Sequence, residues 1–123
     1  LFTDCPFLLD EWIIHELGHV IWFDVQMKRG VGIEKSTDYE MLSEGFAIYC
    51  QTDRFSYLYP PDYTLLPLSR YPEHYRKGRL FVKLAVRHYG DDVFLEIPYR
   101  WREFMQKLKT RLNDFRSDEE LLS

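Results

Sequence analysis

Two histidines stand four residues apart around a glutamate in the stretch IIHELGHVIW, residues 13–22. Positions i and i+4 share one face of an α-helix. The flanking residues are almost wholly apolar, so this spacing predicts a helix that carries polar groups in apolar surroundings. Burying such groups is costly unless they find partners. Something must therefore satisfy His15, Glu16 and His19. Neutral imidazole is a good zinc ligand, and a pair at this spacing supplies two corners of a tetrahedron. Glu16 is rotated off the histidine pair. It would not ligate; it would sit beside the open position and accept a proton from water.

The rest of the chain offers this helix few partners, and all of them read as helical. The first helix is expected from about Pro6 to Lys28, with Leu9, Ile13, Leu17, Val20 and Ile21 at helical spacing. Arg29-Gly30-Val31-Gly32 should stop it. Ser36, Thr37 and Asp38 are N-cap candidates for a second helix reaching about Arg54, with Thr37 and Glu40 spaced for a capping box. Residues 59–70 hold three prolines and no helical period, and read as a long surface loop. A third helix is expected from near Pro72 to Gly90, then a short turn capped by Asp91 and Asp92. A fourth opens at Pro98, with Trp101, Phe104, Met105, Leu108, Leu112 and Phe115 on one face. At most one short strand fits, around Val31–Lys35. The expected fold is mainly α: one compact domain, a bundle of about four helices.

Composition narrows the class. The chain has 123 residues, 46% apolar and 29% charged, as in a soluble globular domain with one modest core. No apolar run approaches the roughly 18–20 residues that span a bilayer. No signal peptide is visible, and a cytoplasmic location is favoured. The first residue is Leu, as in a processed product or part of a longer protein. Cys5 and Cys50 lack metal-type spacing and read as two reduced, packed thiols, with a disulfide as the alternative that nothing in the spacing supports. Charge is uneven: residues 1–75 carry 5 Lys/Arg against 12 Asp/Glu, and residues 76–116 carry 11 against 5. The scattered positives match no nucleic-acid-binding module, and the two halves are expected to attract each other within the fold.

A third metal ligand is available on the second helix. Glu44, in MLSEGFAIY, lies 25 positions after His19. An antiparallel return after residues 29–35 would turn it toward the histidine pair, and Gly45 and Ala47 are small enough to let helices approach. His15-Glu16-Leu17-Gly18-His19 followed by Glu44-Gly45-Phe46-Ala47 resembles the gluzincins, zinc metallopeptidases with two histidines and a glutamate as ligands. Tyr75-Arg76-Lys77-Gly78, an apolar helix ending in HYG, and then DDVF are similar to the segment after the zinc glutamate in the aminopeptidase-like branch. The resemblance spans about residues 9–95.

It implies a zinc peptidase acting on a peptide or protein substrate. His15, His19 and Glu44 would hold Zn2+, Glu16 would be the general base, and Tyr75 would donate to the developing oxyanion. His74 and His88 are alternates for that last role. The spacing departs from the better-known aminopeptidases: His19 to Glu44 is longer and Glu44 to Tyr75 shorter. Ile48 stands where relatives often place a carboxylate behind the metal, and the glycine-rich exopeptidase motif is not found. Exopeptidase and endopeptidase both stay open, as does a catalytically inactive binding or regulatory module that keeps the metal site. The apolar stripe of the C-terminal helix is expected to pack on the back of the three-helix core; minimal gluzincins suggest, as the alternative, self-inhibition with this basic helix lying in the cleft.

Overall fold

The structure is a computed structural model describing residues 6–65 and 67–113, with side chains for 10–65 and 67–107. Four helices follow in order: α1 (Pro6–Lys28), α2 (Thr37–Tyr49), α3 (Glu73–Tyr89) and α4 (Trp101–Asn113). A π-helical turn, Cys50–Arg54, extends α2, and short 3-10 turns lie at Ser56–Leu58, Leu68–Arg70 and Asp91–Leu95. The mainly α bundle is thus as expected. No described helix is long and apolar enough to cross a membrane.

Local chemistry sets the helix ends. Gly30 adopts φ 70°, which costs glycine little. Its N–H bonds to Met27 O at 3.2 Å, and Val31 N–H reaches back to Gln26 O at 2.9 Å, closing α1 in a Schellman motif. Val31 is thereby tied to a helix end. Residues 31–36 carry no regular structure, and there is no strand among the described residues, so the strand around Val31–Lys35 does not form.

At α2 the cap is Ser36, whose hydroxyl accepts from Tyr39 N–H at 3.1 Å. The Thr37–Glu40 capping box is therefore replaced by a cap one residue earlier, and the Glu40 carboxylate faces Tyr75 instead. The fourth helix also starts later than Pro98 suggests. Pro98 is buried, its carbonyl accepts from Gln26 Nε2 at 2.8 Å, and the helix begins at Trp101.

Glycines set the helix packing. A Cβ on Gly45 would collide with the backbone of Gly78 and Arg79, and one on Gly78 with the Met41 carbonyl. Helices α2 and α3 thus cross backbone to backbone. A Cβ on Gly18 would lie 2.8 Å from Ala47 Cα, so α1 meets α2 through Gly18 and Ala47. Gly45, expected to ease the approach of α1, serves α3.

The close crossing also decides which face of α1 is buried. Glu11, Ile14, Trp22 and Gln26 are buried together with Gly18, while Ile13, Leu17 and Val20 stay exposed. Their helical spacing is real, but they lie on the open side.

Around this frame Trp22, Tyr39, Phe46, Phe94 and Trp101 form an aromatic core, with Phe46 stacked on Phe94 at 4.7 Å. Trp101, Phe104 and Met105 of α4 are part of it. Leu108, Leu112 and Phe115 lie outside the described side chains. Cys50 is buried and free, and burial pushes its thiol up to about 12; Cys5 lies outside the described residues. Acidic residues of the first part do pair with basic ones of the second: Asp53 meets Arg79 at 2.9 Å and Lys83 at 3.0 Å, and Glu34 pairs with Arg102.

Candidate metal centre

Helix α1 places His15 and His19 one turn apart. Their rings meet edge to face at 4.8 Å, with the two Nε2 atoms 3.2 Å apart. Helix α2 brings Glu44 opposite them. Its Oε2 lies 3.2 Å from His15 Nε2 and its Oε1 3.2 Å from His19 Nε2. The three side chains are half-buried, and they form the one His/Cys/Asp/Glu group among the described residues placed to hold a metal ion. The close α1–α2 contact at Gly18 and Ala47 sits within the same two motifs, which explains how a carboxylate on α2 reaches histidines on α1.

Protons decide how this cluster can be satisfied. Burial pushes the Glu44 carboxyl up, but the hydrogen bonds and charges of His15 and His19 outweigh it and bring it down to about 2. Glu44 is then an acceptor. His15 Nδ1 lies 3.0 Å from Gln51 Oε1, an oxygen that only accepts. In the neutral tautomer that donates there, Nε2 carries no proton and gives Glu44 no hydrogen bond. His19 Nδ1 is buried and meets no hydrogen-bond partner among the described residues. A proton on either Nε2 bridges one histidine to its own Glu44 oxygen. A cation could be shared by both imidazoles and the carboxylate.

The spacing suits such an ion. Zinc bonds of ~2.0–2.1 Å in a tetrahedron put neighbouring ligand atoms about 3.3 Å apart. Here the two imidazole nitrogens are 3.2 Å apart and each lies 3.2 Å from a different oxygen of Glu44, and one ligand atom from each of the three residues lies within 4.8 Å of the others. Two imidazole nitrogens and one carboxylate oxygen are a zinc donor set that leaves a fourth position open. The residues present therefore fit the ion that the sequence implies.

Behind the triangle lies a buried polar shell. Gln51 and Glu11 are 1% and 2% exposed. Gln51 Nε2 donates to Glu11 Oε1 at 3.3 Å and also to the Tyr71 hydroxyl, while Tyr63 donates to Glu11 Oε2 at 2.9 Å. Neither Glu11 nor Gln51 stands out in the sequence as a site residue. The signal was there: Glu11 precedes His15 by four residues, on the same stripe, and Gln51 follows Glu44 by seven. Ile48, where a supporting carboxylate was sought, is fully buried.

The remaining candidates differ in placement. Glu16 is exposed on the next face of α1, beside the pair. Tyr75, on the first turn of α3, donates its hydroxyl to Glu40 Oε1 at 2.8 Å. That bond to Glu40 comes first, then burial and the Glu44 charge, in pushing the phenol up to about 12, so it remains a donor. His74 packs edge-on against Tyr75 at 4.4 Å, and His88 is exposed near the end of α3. Comparison with known protein families, curated proteins and solved structures finds no significant match.

Proposed function

We propose that this chain is a zinc-dependent peptidase. The observation that carries this reading is the convergence of His15, His19 and Glu44, with the two Nε2 atoms 3.2 Å apart, each 3.2 Å from one oxygen of Glu44, and Gln51 accepting at His15 Nδ1 so that Nε2 faces inward. Zinc held there supplies a Lewis acid that lowers the pKa of a water to about 7. The chain's own residues do the rest. A Glu16 carboxylate oxygen accepts a proton from the attacking water and returns it to the leaving amine nitrogen. The Tyr75 hydroxyl exchanges its Glu40 acceptor for the carbonyl oxygen as negative charge develops there.

A peptide substrate suits the surface around Glu16. Trp12, Ile13, Val20 and Phe23 are exposed on the open side of α1 within two turns of it, giving side chains of a bound peptide apolar ground. A second reading, a metal-holding module without turnover, draws support from the occupied Tyr75 hydroxyl.

The test is hydrolysis of an internally quenched peptide library by the zinc-loaded chain and by Glu16→Gln. The peptidase reading expects cleavage, zinc retained in the variant, and a rate lower by about 10²–10⁴-fold. Undiminished turnover in Glu16→Gln removes the proposed base. Zinc binding with no cleavage of any peptide favours the second reading.

A further inference from the structure

A metal-binding histidine must offer the correct ring nitrogen, and something must enforce that choice. His15 takes its instruction from Gln51, but an amide alone cannot give one. Turned one way it presents an acceptor oxygen to His15 Nδ1; turned the other it presents an NH2 donor. The second orientation would require a lone pair on Nδ1 and a proton on Nε2, where the metal must bind. Gln51 is held in the first orientation by what lies behind it. Its Nε2 faces the Glu11 carboxylate at 3.3 Å, which has only oxygens to offer. A flipped amide would set oxygen against oxygen in a site that is 1–2% exposed, where an unmatched polar pair is costly. The second oxygen of Glu11 is fixed by the Tyr63 hydroxyl at 2.9 Å, and Tyr71 lies against the same amide.

We propose that Glu11 is the positioning residue of this site: through Gln51 it selects the metal-binding tautomer of His15, with Tyr63 of the loop before α3 holding the carboxylate in place. The Tyr71 hydroxyl, which can donate or accept, fits either orientation of the amide. Glu11 touches neither the ion nor a substrate. It acts through one amide, and it ties the Pro-rich loop into the centre. This inference rests on the zinc reading for its purpose, but the relay can be read out without metal.

The test uses the intact chain and two variants, Glu11→Gln and the exchange Glu11→Gln/Gln51→Glu. In Glu11→Gln a second amide stands behind the first, both orientations become possible, and zinc affinity should fall about 10–100-fold, the usual scale for partners of metal-bound histidines. In the exchange variant a carboxylate accepts directly from His15 Nδ1 and needs no orientation. Affinity should return to within a few-fold of the parent. A merely structural role for Glu11 would not be rescued by moving its charge to position 51. Tyr63→Phe should lower affinity in the same direction by less, and serves if Glu11→Gln does not fold. Tyr57→Phe, at an exposed tyrosine of the neighbouring turn, should change nothing.

Nitrogen-15 NMR of the metal-free chain should show a proton on His15 Nδ1. Parent-like affinity in Glu11→Gln, or an exchange variant no better than Glu11→Gln, overturns the proposal. So does His15 found with its Nδ1 unprotonated. A parent chain that binds no zinc while His15 Nδ1 carries its proton contradicts the metal reading and leaves the relay standing.

Discussion

Helix α1 feeds two buried polar networks, and they end differently. One runs from Trp22 Nε1 to the Tyr39 hydroxyl at 3.0 Å, on to Gln26 Oε1 at 2.7 Å, and from Gln26 Nε2 to the Pro98 carbonyl at 2.8 Å. Each named group gives or receives what it should, and the chain stops at a backbone oxygen. The other runs from Tyr63 through Glu11 and Gln51 to His15, then opens into two imidazole nitrogens and the two oxygens of Glu44, which face one another at 3.2 Å. Both start from the same helix, but the closed network is fully buried while the open one ends in half-buried side chains. The closed network joins α1, α2 and the approach to α4, and its yield is stability. The open one is costly by itself, because buried groups without full pairing destabilise. With an ion at its end, as we propose, both imidazoles and the carboxylate would gain a common partner.

Mutations can break that contrast or sharpen it. The largest effect is expected on turnover, at Tyr75, which lies outside both networks but feels the charge of Glu44. Tyr75→Phe keeps the ring and removes the hydroxyl that donates to Glu40. With the peptidase reading, kcat should fall about 10²–10³-fold, the cost of one oxyanion donor, with KM little changed. A change confined to KM would make Tyr75 a substrate-binding residue instead.

A smaller effect, of a different kind, is expected at the closed network. Tyr39→Phe leaves the Trp22 N–H and the Gln26 carbonyl oxygen without their shared hydroxyl. Denaturant unfolding should show a loss of about 1–3 kcal/mol, with zinc affinity corrected for folding unchanged. If affinity fell with stability, the two networks would be one.

The smallest effect concerns Asp53, which belongs to neither. Burial pushes its carboxyl up, but the Thr52 hydroxyl, Arg79 and Lys83 outweigh it and hold it below the usual carboxylate range. Its folded pKa is therefore depressed. Its contribution is full above the unfolded value of about 3.9 and is lost as pH falls through the lower folded value. Asp53→Asn should lower the thermal midpoint at neutral pH and flatten its fall below about pH 4. An unchanged acid limb would show that the Arg79 pair contributes nothing to the pH dependence.

Much of this architecture was legible because single residues carried it. Gly30, Pro72 and Gly90 punctuate the chain, so α1 and α3 fall close to their expected limits. His15, His19 and Glu44 stood out because each is polar within an apolar helical run. What stayed hidden needed a third dimension. Ser36 and Thr37 are chemically equivalent caps until one of them reaches an N–H. The apolar spacing of Ile13, Leu17 and Val20 says helix, yet Gly18 packs inward against Ala47 and turns those residues out. Gln51 is neither acid nor ligand, and its value appears only when His15 and Glu11 lie on either side of it.

The most direct test of the account is the metal content of the chain. Purified protein, loaded with zinc and freed of loose ions, should hold about one zinc per chain by elemental analysis. His19→Ala should hold none, and its metal-free fold should no longer gain stability on adding zinc, since binding and folding are linked. Zinc retained at full stoichiometry in His19→Ala, or no zinc in the parent chain, would contradict the assignment of the open network as a metal centre.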